Sequence, residues 1–132
     1  MKLNGKAQRT IWLEADGTAV GIIDQTRLPH AFKTVTLKTL DDAAYAIKAM
    51  LVRGAPLIGA TAAYGMALAM RENASDQHVT EAANYLVEQR PTAVNLKWAT
   101  DEMVRVLEPL PPDQRVAAAY GHAAKIVVGQ SV

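Results

Sequence analysis

Gly54-Ala55-Pro56-Leu57-Ile58-Gly59-Ala60-Thr61-Ala62-Ala63-Tyr64-Gly65-Met66-Ala67-Leu68-Ala69-Met70 runs without a charged residue between Arg53 and Arg71. Such a stretch is either a membrane span or a helix buried inside a protein. It falls just short of the length of a span, and it is mainly Ala and Gly rather than Leu, Ile and Phe. It therefore reads as a closely packed helix within a soluble bundle. Pro56 suits the first turn of that helix, where a missing N–H costs nothing, and the helix should end near Arg71.

The period of the flanking sequence agrees. Upstream, Thr39 followed three residues later by Asp42 has the spacing of a helix-start box, for a helix reaching about Val52. Downstream, Ser75 or Asp76 is placed to cap a third helix ending near Gln89, and Thr92 a fourth ending before Pro109. Pro111-Pro112 breaks the chain before a fifth helix over about 113–128. Alanine runs recur on all but the fourth: Ala43-Ala44, Ala62-Ala63, Ala82-Ala83, Ala117-Ala118-Ala119 and Ala123-Ala124. Helix propensity alone would account for most of them.

The residues before Thr39 have a different pattern. Residues 10–14 and 18–23 are rich in Ile, Val, Thr and Trp, with Asp16-Gly17 between them. Asp-Gly in that place is a hairpin signal, because the turn needs a positive φ. Residues 33–37 alternate polar and apolar and complete a small sheet, which must lean on the helices to be stable. The expectation is one α+β domain, mainly α, over 1–132: a small antiparallel sheet of two or three strands in 1–38, then a bundle of about five helices in 39–132.

Composition narrows the function. In 132 residues, 50% hydrophobic and 20% charged, 14 Lys+Arg stand against 13 Asp+Glu for a net charge of +1. A disordered or fibrous chain is excluded, and no basic field exists to attract nucleic acid or an anionic membrane. The absence of cysteine excludes a disulfide framework, a thiolate metal site and a cysteine nucleophile within these residues. The first ten residues are polar and lack a signal-peptide core. The expected setting is cytoplasmic.

Three stretches can carry chemistry. Val52-Arg53-Gly54-Ala55-Pro56 joins two helices. Unpaired N–H groups at the second helix's start, a glycine that admits close approach and an arginine together suit a phosphate or carboxylate. The same residues also make an ordinary corner, with Gly54 ending one helix and Pro56 starting the next. Arg90-Pro91-Thr92-Ala93-Val94-Asn95-Leu96 is a second corner with an arginine in the same relative place. Two such arginines would converge on one anion if the corners lay side by side; otherwise Arg90 serves the dipole of its own helix. Asp24 and Gln25, before Leu28-Pro29, either meet a polar ligand or cap a turn. His30, His78 and His122 lack metal-ligand spacing and read as structural or solvated, with His78 on a helix surface.

Taken in order, Ile23-Asp24-Gln25…Leu28-Pro29, Val52 to Gly59, Ala62-Ala63-Tyr64-Gly65 and the Arg90 to Leu96 stretch resemble the N-terminal domain of methylthioribose-1-phosphate isomerases. The wider family includes ribose-1,5-bisphosphate isomerases and regulatory subunits of translation initiation factor 2B; the Arg90 to Leu96 stretch favours the first branch. The resemblance implies a methionine-salvage aldose–ketose isomerase, homodimeric and without metal or organic cofactor. It implies that Arg53, Gly54 and Ala55 bind the phosphate of a phosphorylated sugar, with Arg90 a second contact. It also implies that the catalytic cysteine and aspartate belong to a Rossmann-like C-terminal domain beyond Val132. The chain alone is then expected to be inactive, without a catalytic residue of its own.

Overall fold

Helix α2 (Ala55–Glu72) is the axle of the structure, buried from Leu57 to Met70. The computed structural model describes residues 2–3, 6–7, 10–27 and 33–130. Around α2 stand α1 (Leu40–Lys48), α3 (Asp76–Gln89), α4 (Val94–Leu107) and α5 (Pro112–Gln130), each packed against it. A helix apolar on every side needs neighbours on every side, which is why the Ala- and Gly-rich stretch sits at the centre. Among the described residues no helix is long and apolar enough to cross a membrane.

Small residues set the spacing. Gly65 faces α1 and α3; a Cβ there would stand 3.0 Å from Ala43 Cβ and 3.3 Å from Leu86. Ala43, Ala44, Ala62, Ala63, Ala82, Ala83, Ala119 and Ala123 are all buried in the core, whereas Ala117 and Ala124 are exposed. Most of the alanine pairs therefore serve close packing between helices, not propensity alone.

The sheet has β4 (Val20–Ile23) in the middle, antiparallel to β3 (Ile11–Leu13) and β5 (Thr34–Leu37). Ile11, Val20, Ile22 and Leu37 bury their side chains in the common core. Gly21 is bare because the indole of Trp12 in β3 and the carboxylate of Glu14 just after it occupy the place of its side chain, bonded to each other at 3.2 Å. A further short pair, β1 (Lys2–Leu3) with β2 (Lys6–Ala7), lies in the stretch read as merely polar. Two-residue strands leave too little pattern to detect.

The α+β, mainly α architecture holds, and the differences from expectation are local. The Asp16-Gly17 signal marks the hairpin, but Glu14 and Ala19 still pair by backbone at 2.8 Å, leaving a four-residue loop. Asp16 receives the N–H groups of Thr18 and Ala19 at 2.8 and 2.9 Å, which lowers its carboxyl pKa, and Gly17 alone takes a positive φ, 77°. The Thr39–Asp42 capping box is present, but α1 stops at Lys48, four residues before Val52. Gly54 caps the start of α2 and does not end α1. The start of α4 falls to Ala93 rather than Thr92, because Ala93 N–H closes a turn onto the Arg90 carbonyl at 3.0 Å. Ser75 caps α3 through His78 N–H, as its sequence position suggests. Leu28, Pro29 and His30 lie outside the described residues.

Candidate functional site

How α1 ends decides where Arg53 goes. Leu51 N–H reaches back to the Ala46 carbonyl at 2.9 Å and Met50 N–H to Ile47 at 3.3 Å, with Met50 at φ 61°. This paired closure is the usual way to stop a helix, although glycine is the usual residue at the left-handed position. The turned chain is then held from two sides. Val52 is fully buried, and the Leu51 carbonyl accepts the Gln25 N–H at 2.8 Å. Arg53 follows at the surface, and Gly54, at φ 87°, leads into α2 with no side chain capping it. Nothing crowds Gly54, so its left-handed backbone is what calls for glycine there.

The second corner meets the first. Asn95, in the first turn of α4, donates from Nδ2 to the Ala55 carbonyl at 2.7 Å. Gly59 leaves room for it: a Cβ there would come within 2.6 Å of the same nitrogen. The corners thus lie side by side and share an open cavity of about 310 Å³ lined by Met50, Arg53, Gly54, Ala55, Ile58, Arg90, Ala93, Val94, Asn95 and Leu96.

The cavity's electrostatics are one-sided. Both helices begin there, and neither has a side-chain cap, so their free N–H groups present partial positive charge. Arg53 is exposed and Arg90 half-buried, and among the described residues neither guanidinium is engaged in an ion pair or hydrogen bond. Among the described residues no carboxylate, imidazole, lysine or phenol lines the cavity. It suits an anion, and it holds no group to move a proton between carbons.

Arg53, Gly54, Ala55 and Arg90 are brought together, whereas Asp24 and Gln25 are not. Asp24 is buried and accepts from Thr26 N and Oγ1 at 2.9 and 2.5 Å, starting the 3-10 turn Gln25–Arg27. It lines a separate cavity of about 490 Å³ with Tyr45 and strand β5. His78 is half-buried rather than on a free surface, and its Nε2 lacks a hydrogen-bond partner among the described residues. His122 Nε2 stands 3.8 Å from Glu102. Among the described residues no group of three His, Cys, Asp or Glu could hold a metal ion. Met50 and Ile58 were missed as cavity residues. Extending α1 to Val52 hid the turn at Met50, and Ile58 reads only as one more apolar residue of α2.

Fold and site together define a class: a mainly helical α+β domain with a cationic, proton-inert cavity between two helix corners. No family model matches the sequence. Over 126 residues the chain is 62% identical to the methylthioribose-1-phosphate isomerase of Paramagnetospirillum magneticum, an alignment covering 96% of this chain and 35% of that protein. The crystal structure of 5-methylthioribose 1-phosphate isomerase from Pyrococcus horikoshii OT3 matches with a TM-score of 0.84 at 33% identity, over 94% of this chain and 37% of that one. Subunit delta of translation initiation factor eIF-2B from A. fulgidus matches with a TM-score of 0.82 at 32% identity, over 91% and 36%. The chain belongs to the methylthioribose-1-phosphate isomerase family and spans about a third of the length of the curated relatives it matches.

Proposed function

We propose that this chain is the N-terminal, substrate-capping domain of an isomerase that converts the aldose 5-methylthioribose 1-phosphate to the ketose 5-methylthioribulose 1-phosphate. The observation that carries the reading is the meeting at one cavity of two uncapped helix starts and two arginines that pair with none of the described residues. Arg53 would bind the substrate phosphate through its guanidinium. The backbone at Gly54 and Ala55 would approach the same phosphate from the α2 start, and Arg90 would make a second substrate contact.

In this role the domain binds and orients, and it covers the sugar from water. Aldose–ketose exchange needs an acid and a base within reach of the two carbons that trade oxidation state, and the described residues of the cavity lining supply neither. Those groups fall to a Rossmann-like domain in the remaining length of the protein, where the family resemblance puts a cysteine and an aspartate. The assembled protein is taken as a cytoplasmic homodimer. The test is Arg53→Ala in the full-length protein. Loss of a charge-assisted contact of about 3 kcal/mol weakens binding of the sugar phosphate on the order of 100-fold. Unchanged affinity and KM would remove Arg53 from the site.

The likeness to the initiation-factor subunit supports a second reading, a non-catalytic module that docks a protein partner through its helical face. Recovery of exchange-factor subunits in a pull-down, with no sugar-phosphate binding, selects it. An enzyme acting on ribose 1,5-bisphosphate would use the same phosphate contacts and differ only at the far end of the sugar.

A further inference from the structure

Met50 is an unusual residue for its position. It is the one non-glycine residue among those described with a positive φ, 61°, at a helix end where glycine is the default. A side chain in that conformation is strained where glycine is not. Core packing does not offset the strain, because Met50 is 44% exposed. Its side chain lines the cavity between the two corners instead. Val94 lines the same cavity and is 84% exposed at the first turn of α4. With Ile58 these residues give the cavity an apolar part beside its two arginines.

We propose that Met50 and Val94 are specificity-determining residues that read the non-phosphate end of the ligand and select an apolar, thioether-bearing substituent over a polar one. The inference rests on the reading of the cavity as a sugar-phosphate site. Methionine suits such a role, because its thioether is polarisable and its unbranched chain adapts to a small apolar group. A hydroxyl or phosphate placed against these side chains would find no hydrogen-bond donor or acceptor on the valine and only a weak acceptor on the thioether. Arg53 and Arg90 would then fix one end of the ligand while Met50 and Val94 reject the wrong group at the other.

The experiment compares three probes on the protein as its gene encodes it: inorganic phosphate, ribose 1-phosphate and 5-methylthioribose 1-phosphate. The variants are Met50→Gly, which suits the left-handed backbone, and Met50→Leu, which restores an apolar side chain. Wild type should prefer the methylthio sugar over ribose 1-phosphate by about tenfold or more, the scale at which an apolar pocket separates ligands. Met50→Gly should abolish most of that preference and leave inorganic phosphate binding unchanged, and Met50→Leu should restore it. A backbone role alone would not move the ratio between two sugars. If the preference persists undiminished in Met50→Gly while Arg53→Ala abolishes phosphate binding, the proposal falls and the sugar-phosphate reading stands. If no probe shows Arg53-dependent binding, both fall.

Discussion

A single buried cation carries much of the helical half. Arg115, in the first turns of α5, is 1% exposed. It donates to the carbonyls of Leu107, Glu108 and Ala74 at 2.9, 3.1 and 2.7 Å, and to Asp76 at 2.6 Å. It thereby ties the end of α4 and the start of α3 to α5. The Asp76 carboxylate is 85% exposed, so the ion pair itself contributes little; the carbonyls matter more. Arg115→Leu leaves buried acceptors without donors and should destabilise by about 3–5 kcal/mol, read as a lower denaturation midpoint with unchanged slope. Arg115→Lys, with one compact donor head, should recover only part. Nothing in the sequence marks this arginine. An arginine after Pro112-Asp113-Gln114 looks like any solvated first-turn residue. The corner positions of Arg53 and Arg90 were legible because glycine, alanine and proline beside them advertise helix ends, while their binding role came only from the family resemblance; Met50 offered no such signal.

At the scale of elements, the join between α2 and α4 is the feature the cavity depends on. Gly59→Ala would force its new methyl onto the Asn95 amide, which is already committed to the Ala55 carbonyl. Either that bond breaks or α4 moves away. The expected cost is about 1–3 kcal/mol with weaker phosphate binding. Because the clash and the bond share one amide, a double-mutant cycle with Asn95→Ala should be clearly non-additive.

The join between sheet and bundle answers to pH. The Tyr120 phenol donates to the Thr18 carbonyl at 2.6 Å, and its ring stands 6.4 Å from that of Tyr64. Burial, above all, raises its pKa over the usual value near 10. The folded protein therefore keeps this proton where the unfolded chain has released it. The stability it contributes is whole below about pH 10 and is lost as pH rises through the raised folded value. Urea midpoints measured across that range should fall less steeply in Tyr120→Phe. The helices that bracket these contacts were legible because caps, prolines and apolar period agree there. Where they failed, at Val52 and Thr92, a backbone hydrogen bond chose the boundary and no side chain advertised it.

The whole molecule is a ring of helices around α2, with the sheet leaning on one side and the cavity between two corners. Its general plan follows from one uncharged stretch, since a helix apolar on every face can only be central. The approach of the two corners did not follow, because it depends on Gly59, Asn95 and Gly65 setting distances between segments far apart in the chain. Helix α5 is the most extensive partner of α2, and Tyr120 reaches across 102 residues to Thr18. During synthesis the hairpin and the first four helices therefore leave the ribosome before the wall that covers α2 exists. One strip of the central helix faces water until α5 emerges, and the nascent chain is in that interval a natural client for a holdase chaperone.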